Sequence, residues 1–197
     1  MKEPTKLLNW QQETLINYLA ELSLSSSETT CNSYKGDLTR FLTFIAEKNI
    51  KKVATLKPLH IINYLSYCKS IGRTDSTINR YYMAIRSFCR YLRRQKLLSF
   101  DLTEDITPPR SSLKAPKIPT VEEMSQIISQ PNVCTESGMR DRALMELMYS
   151  SGLRATELCN LEIEDFKGNQ VTVKCGKRDK TRTVPITQEA YLSTFLS

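Results

Sequence analysis

The sequence predicts a mainly α chain with a small β-hairpin: a four-helix domain, a linker, and then an α+β segment. Three observations carry that prediction. Apolar residues recur at helical spacing through four segments before residue 99. Four prolines then fall within residues 99–120, where few apolar positions are periodic. Beyond them the helical pattern resumes, and near residue 171 it gives way to β-like alternation.

In the first segment Leu8, Leu15, Ile16, Leu19 and Leu22 lie close to a helical period. SLSSSE, residues 23–28, then offers N-cap serines for a second helix, whose stripe is Tyr34, Leu38, Phe41, Leu42 and Ile45. Lys57-Pro58 opens a third, with proline suited to the first turn. It carries Ile61, Ile62, Leu65 and Cys68 and ends near Gly72. Asp75 or Ser76 is the expected cap of a fourth helix, running to about Leu98. Four amphipathic helices of this length make a compact helical domain over residues 1–99.

Residues 100–119 read as an extended linker stiffened by Pro108-Pro109. Its Arg110, Lys114 and Lys117 suit it to lie along an anionic backbone. Residues 120–197 form the second part. Thr120 and Glu123 spell a capping box. Asp141–Ser150 is helical through Leu144, Leu147 and Met148, and Arg154–Leu161 is a short helix. VTVKC, 171–175, and TRTVPI, 181–186, flank the turn GKRDK as a hairpin, and Gln188–Leu196 closes with a helix.

Charge narrows the function. The net charge is +7, and it is uneven. Residues 1–99 hold 16 Lys+Arg against 7 Asp+Glu, whereas residues 100–197 hold 12 against 14. A basic first half points to an anionic partner, with nucleic acid the leading class. In the fourth helix Ile78, Tyr81, Tyr82, Ile85, Phe88, Cys89 and Leu92 share one face, with Arg80, Arg86, Arg90, Arg93 and Arg94 roughly opposite. No acidic residue lies between Arg80 and Lys96 to supply i,i+4 pairs. The arginine face therefore reads as a surface that tracks phosphates, against the plainer reading of a solvated face.

The six cysteines show no CxxC spacing and His60 is the sole histidine, so no metal site is expected. Cys31, Cys68 and Cys89 read as small buried hydrophobes. No apolar run reaches membrane-span length, and a reducing cytoplasm is the expected location.

SGLRATELCNL, residues 151–161, sets Arg154 among apolar neighbours. An unpaired buried guanidinium is costly. Arg154 is therefore either a structural ion pair with Glu157 or Glu146, or a ligand for an anion. The run MRDRALMELMYSSGLRATELCNLEIEDF, 139–166, closely resembles the first motif box of the tyrosine recombinases, the phage-integrase and Xer-like family. The carrying residues are Ser151-Gly152-Leu153-Arg154, Thr156-Glu157-Leu158, Leu161 and Asp165. VTVKCGKRDKTRTVPI is similar to that family's hairpin, G-K-x-x-K-x-R followed by V-P.

The resemblance implies a SAM-like core-binding domain followed by a truncated α+β catalytic domain. It implies that Arg154 is the first catalytic arginine and Lys177 the hairpin lysine, with Lys180 and Lys174 as the residues to be distinguished from it. Glu157, at i+3 from Arg154, supports the guanidinium. Arg178 and Lys180 join the DNA-binding set. In such enzymes a tyrosine attacks a phosphodiester, a 3′-phosphotyrosyl link forms, and a 5′-hydroxyl leaves. Arginine suits the non-bridging oxygens, and a lysine can protonate the leaving oxygen. The expected partners are double-stranded DNA and other recombinase protomers, with no cofactor and no membrane.

The family's downstream His/Lys-x-x-Arg box, its further His or Trp and its tyrosine do not appear in these 197 residues. Tyr191 has no such box around it and is not assigned as nucleophile. The expectation is that this polypeptide alone neither cleaves nor rejoins DNA. Two other readings stand beside the recombinase. One is a non-catalytic DNA-binding protein that occupies recombination sites or modulates a full-length recombinase. The other is a helical module whose basic face meets an acidic protein.

Overall fold

The computed structural model describes residues 7–109, 116–174, 181–188 and 190. The chain divides into two compact units, residues 1–114 and 115–197. The first is helical: α1 (Asn9–Ser23), α2 (Glu28–Glu47), α3 (Pro58–Ser70) and α4 (Asp75–Arg94). Each start has a local cause. Gln11 accepts the Leu8 N–H at α1, and Ser27 accepts from Thr30 at α2. At α3 the ring Nδ1 of His60 accepts the Lys57 N–H at 3.0 Å, which gives the sole histidine a capping role. At α4 the cap is Thr74, which accepts from Thr77. Asp75 lies inside the first turn instead, where its charge meets the helix dipole.

Helix α4 is the central element of this unit. Ile78, Tyr81, Tyr82, Ile85, Phe88, Cys89 and Leu92 are all buried. They pack on Leu38, Phe41, Leu42 and Ile45 of α2 and on Ile61, Leu65 and Cys68 of α3. Ile16 and Ile62, expected to be apolar-face residues, are 65% and 43% exposed, and Cys31 is only half-buried. Helix α4 ends at Arg94 rather than near Leu98, because Lys96 turns the chain at φ 58°. Leu98 and Leu102 then re-enter the core, Ile106 packs on it, and the Tyr82 hydroxyl donates to the Thr103 carbonyl at 3.1 Å. The start of the segment read as linker is thus part of the helical core.

The second unit holds α5 (Val121–Ile128), α6 (Glu136–Ser151), α7 (Ala155–Leu158) and three strands. These are β1 (Phe166–Lys167), β2 (Gln170–Val173) and β3 (Arg182–Pro185), antiparallel in the order β1-β2-β3. The expected hairpin is β2–β3, with Val171 opposite Val184 and Val173 opposite Arg182. The β1 strand was not anticipated. Pro185 sits on β3, an edge strand among the described residues, where a missing N–H is tolerated. Thr120 and Glu123 form the expected capping box.

Helix α6 starts earlier than expected, capped by Thr135. Gly138 is obligatory there: a Cβ would lie 1.9 Å from the Asn132 carbonyl oxygen. At the other end Gly152 takes φ 62° and donates its N–H to the Met148 carbonyl, so the glycine of SGLR ends α6. A Cβ at Gly152 would meet nothing within 4 Å. Gly152→Ala therefore isolates the backbone cost of the left-handed turn. It should destabilise the second unit by about 1–2 kcal/mol, read as faster amide exchange in β2. Leu147, Leu153, Leu158, Val171, Val173 and Ile186 close the small core behind this turn, while Met148 stays 40% exposed. The expected closing helix from Gln188 lies mostly outside the described residues.

Candidate functional site

Helix α7 is shorter than expected, with Arg154 as its N-cap rather than its first turn. Leu153 and Leu158 anchor the segment in the core on either side of the arginine. The Arg154 side chain is 66% exposed, whereas that of Glu157 is 5% exposed. Glu157 accepts the Arg154 backbone N–H at 2.9 Å and its Nη1 at 2.7 Å. The ion pair with Glu157 and the exposed guanidinium thus coexist. Glu146 pairs instead with Arg142, at 3.6 Å.

A second arginine completes the cluster, and the sequence reading gave it no role. Arg182, first residue of β3, donates Nη1 and Nη2 to the two oxygens of Glu157, at 2.9 and 2.8 Å. Its only signal in the sequence was the terminal arginine of the G-K-x-x-K-x-R pattern. Asp165, 3% exposed, plays a parallel part. It accepts the Glu162 N–H and pairs with Lys174, which also reaches Glu162. Lys174 is therefore committed to carboxylates. Lys177, Arg178 and Lys180 lie outside the described residues, as do Arg110 and Lys114. Lys117 is exposed.

The bonds from Arg182, and then the Arg154 backbone N–H, hold the Glu157 carboxyl well below its ordinary 4.5. Lys174 lowers Asp165 from 3.8 in the same way. Both folded values lie below the unfolded ones. Their stabilisation is thus complete above pH about 4.5 and fades as pH falls through the folded values. Acidification from about pH 7 to about pH 3 should lower the protection of the β2 and β3 amides, read as exchange relative to the intrinsic rate at each pH. In Glu157→Gln, which cannot titrate at that position, the loss of protection should be smaller. Equal pH dependence in the two proteins would contradict this.

In the helical unit the arginines of α4 separate. Arg80 turns to α2, where it pairs with Asp37 and donates to Ser33 at 3.0 Å. Asp37, 2% exposed, also holds Arg40. Arg86, Arg90, Arg93 and Arg94 instead line one cleft, with Asp101 and Glu104. Arg90 lies 3.6 Å from Asp101, and Arg94 pairs with Glu21. Arg86 keeps a buried Nε without a partner, and Arg93 has no ion pair among the described residues.

The helical unit with its arginine-lined cleft, and the arginine-bearing turn beside a small antiparallel sheet, each carry a separate family signature. The model for the N-terminal SAM-like domain of phage integrases matches residues 13–96, and the phage integrase family model matches 118–194. The chain belongs to the phage integrase, or tyrosine recombinase, family. It is 32% identical over 197 residues to tyrosine recombinase XerD of Oceanobacillus iheyensis, covering 97% of this chain and 65% of that one. It is 36% identical over 162 residues to a chain described as a tyrosine recombinase in Caldanaerobacter subterraneus subsp. tengcongensis, covering 81% and 54%. The chain thus spans between about half and two thirds of these relatives' length. A lambda integrase tetramer bound to a Holliday junction shares the fold, with a TM-score of 0.72 at 15% identity over 91% of this chain and 52% of that chain. A lambda integrase dimer bound to a COC′ core site also gives a TM-score of 0.72 at 15% identity, over 91% and 64%. No helix among the described residues is long and apolar enough to cross a membrane.

Proposed function

We propose that the chain binds duplex DNA as part of a site-specific tyrosine recombinase, with Arg154 as a ligand for the phosphate that is cut. One observation carries the reading: Arg154 is tethered through Nη1 to a buried carboxylate while its side chain as a whole stays 66% exposed. A guanidinium set in this way can donate to two non-bridging oxygens and offset the charge that develops on them. In the reaction a tyrosine oxygen bonds to phosphorus, the bond to the 5′ oxygen breaks, and that oxygen takes a proton. Lys177, on the hairpin turn in the sequence, is the residue of the right acidity to give it. The α4 cleft and Lys117 supply phosphate contacts that hold the duplex without reading its sequence.

Lambda integrase relatives of the same fold are seen as a dimer on a core site and a tetramer on a Holliday junction. Other protomers on the same DNA are therefore the expected partners. The cytoplasm is the compartment that fits, with Cys31, Cys68, Cys89, Cys134 and Cys159 all free thiols.

A salt titration with a labelled random-sequence duplex tests the reading. Each phosphate neutralised contributes about −0.9 to the slope of log affinity against log salt, so several contacts give a steep line. Unlabelled duplex should compete far better than polyglutamate. A flat line, or equal competition, would show that the basic surface serves another partner.

A further inference from the structure

The Glu157 carboxylate receives four hydrogen bonds, two on each oxygen. Oε1 takes Nη1 of Arg154 and Nη1 of Arg182, and Oε2 takes the Arg154 backbone N–H and Nη2 of Arg182. The acceptor is saturated. Arg182 makes the two-pronged grip, and Arg154 is left with a single side-chain bond among the described residues. Its Nε and Nη2 donors have no partner among the described residues, on a side chain that is 66% exposed. Were Arg182 absent, Glu157 would offer a free site on each oxygen. The neighbouring guanidinium, three residues away on the same turn, would be drawn into the bidentate geometry that arginine and carboxylate prefer.

We propose that Arg182 is a positioning residue: by occupying both oxygens of Glu157 it keeps the outer edge of the Arg154 fork free for a phosphate. The same bond fixes where the hairpin begins. Arg182 pairs with Val173 across the β2–β3 ladder, and the next residue on β2, Lys174, is held by Asp165. Both legs at the base of the hairpin are thus tied by buried carboxylates, one of them the partner of Arg154. The geometry therefore couples the strand carrying Arg182 to the turn carrying Arg154. That the freed donors serve a phosphate rests on the function proposed above; that Arg182 frees them does not.

The test separates the two. Phenylglyoxal labels guanidinium groups according to their freedom, and peptide mass spectrometry reads the rate at Arg154 in the whole 197-residue chain without DNA. Arg182→Gln should slow labelling of Arg154 by about three- to tenfold, the factor of one or two added hydrogen bonds. The double variant Glu157→Gln/Arg182→Gln should restore the rate, because an amide holds the guanidinium without charge. Arg182→Lys keeps a cation beside Glu157 but lacks the fork, and should fall between wild type and Arg182→Gln. It also provides the comparison if Arg182→Gln unfolds. Unchanged labelling in Arg182→Lys and Arg182→Gln, or no recovery in the double variant, overturns the proposal.

Duplex affinity of the same proteins is the second arm. Arg182→Gln should weaken binding and the double variant should regain it. If labelling follows the prediction while affinity does not move, Arg182 still positions Arg154 and the phosphate reading fails. If Arg182 touched DNA directly, the double variant would be as weak as the single one.

Discussion

Replacing Phe88 by alanine is expected to lower the stability of the helical unit by about 3–5 kcal/mol. Phe88 is fully buried in the middle of α4. Its ring meets Tyr18 of α1 edge-on at 5.4 Å and stacks near Tyr91 at 6.3 Å. Truncation removes the ring from both contacts and leaves a cavity that two helices cannot easily close, since the Tyr18 hydroxyl is tied to Ser87 at 2.8 Å. A domain of this kind has about 5–15 kcal/mol in total, so the loss is a large share of it. The chain has a single tryptophan, Trp10, and it packs against this core. Its fluorescence in a urea titration therefore reports this unit, and the midpoint should fall by roughly 2 M. Ile16→Ala, at a position 65% exposed, should change stability by no more than about 0.5 kcal/mol. A Phe88→Ala cost below about 1 kcal/mol would show that this core is more plastic than its packing implies.

The largest expected effect on DNA binding comes from the cleft. Converting Arg86, Arg90, Arg93 and Arg94 together to glutamine should reduce the salt slope by about 3 and weaken duplex binding by about 10²–10³-fold near 0.1 M salt. The four should not share this equally. Arg90 and Arg94 already face Asp101 and Glu21, and a phosphate must compete with those carboxylates. Arg86 and Arg93 have no such rival among the described residues. The pair Arg86→Gln/Arg93→Gln should therefore lower the slope more than Arg90→Gln/Arg94→Gln does. Arg80→Gln should act differently, lowering stability by leaving Asp37 buried with a weaker partner, with little change in slope. Equal slopes for wild type and the quadruple variant would remove α4 from the interface.

The contrast between Arg80 and its neighbours marks how far the sequence could be read. The apolar face of α4 was legible because local periodicity fixes it: all seven residues assigned to it are buried. The acidic partners of its other face were not. Asp37 lies 43 residues before Arg80, Glu21 lies 73 before Arg94, and Asp101 arrives from a segment that looked like linker. A helix with no acidic residue beyond its first turn looked unpaired because pairing was sought within the helix. At the candidate site, motif spacing gave Arg154 and Glu157, and the structure joins them. Arg182 escaped because, although it ends the G-K-x-x-K-x-R pattern, spacing alone assigns that arginine no partner. Its role depends on where β3 lands relative to α7, which only tertiary packing decides. Helix ends were read least well: Thr74, Asp75 and Ser76 are all eligible caps by residue type, and the backbone selects one.

The return of Leu98, Leu102 and Ile106 to the helical core bears on how this family can be rearranged by exchange of modules. A crossover between relatives placed at the end of α4 would transplant four helices while supplying the plug for their core from another parent. Thr103, whose carbonyl anchors the Tyr82 hydroxyl, would be separated from its tyrosine in the same way. The natural seam for a functional chimera therefore lies beyond Ile106, and chimeras joined at that seam should inherit the stability of the parent that donated the helices.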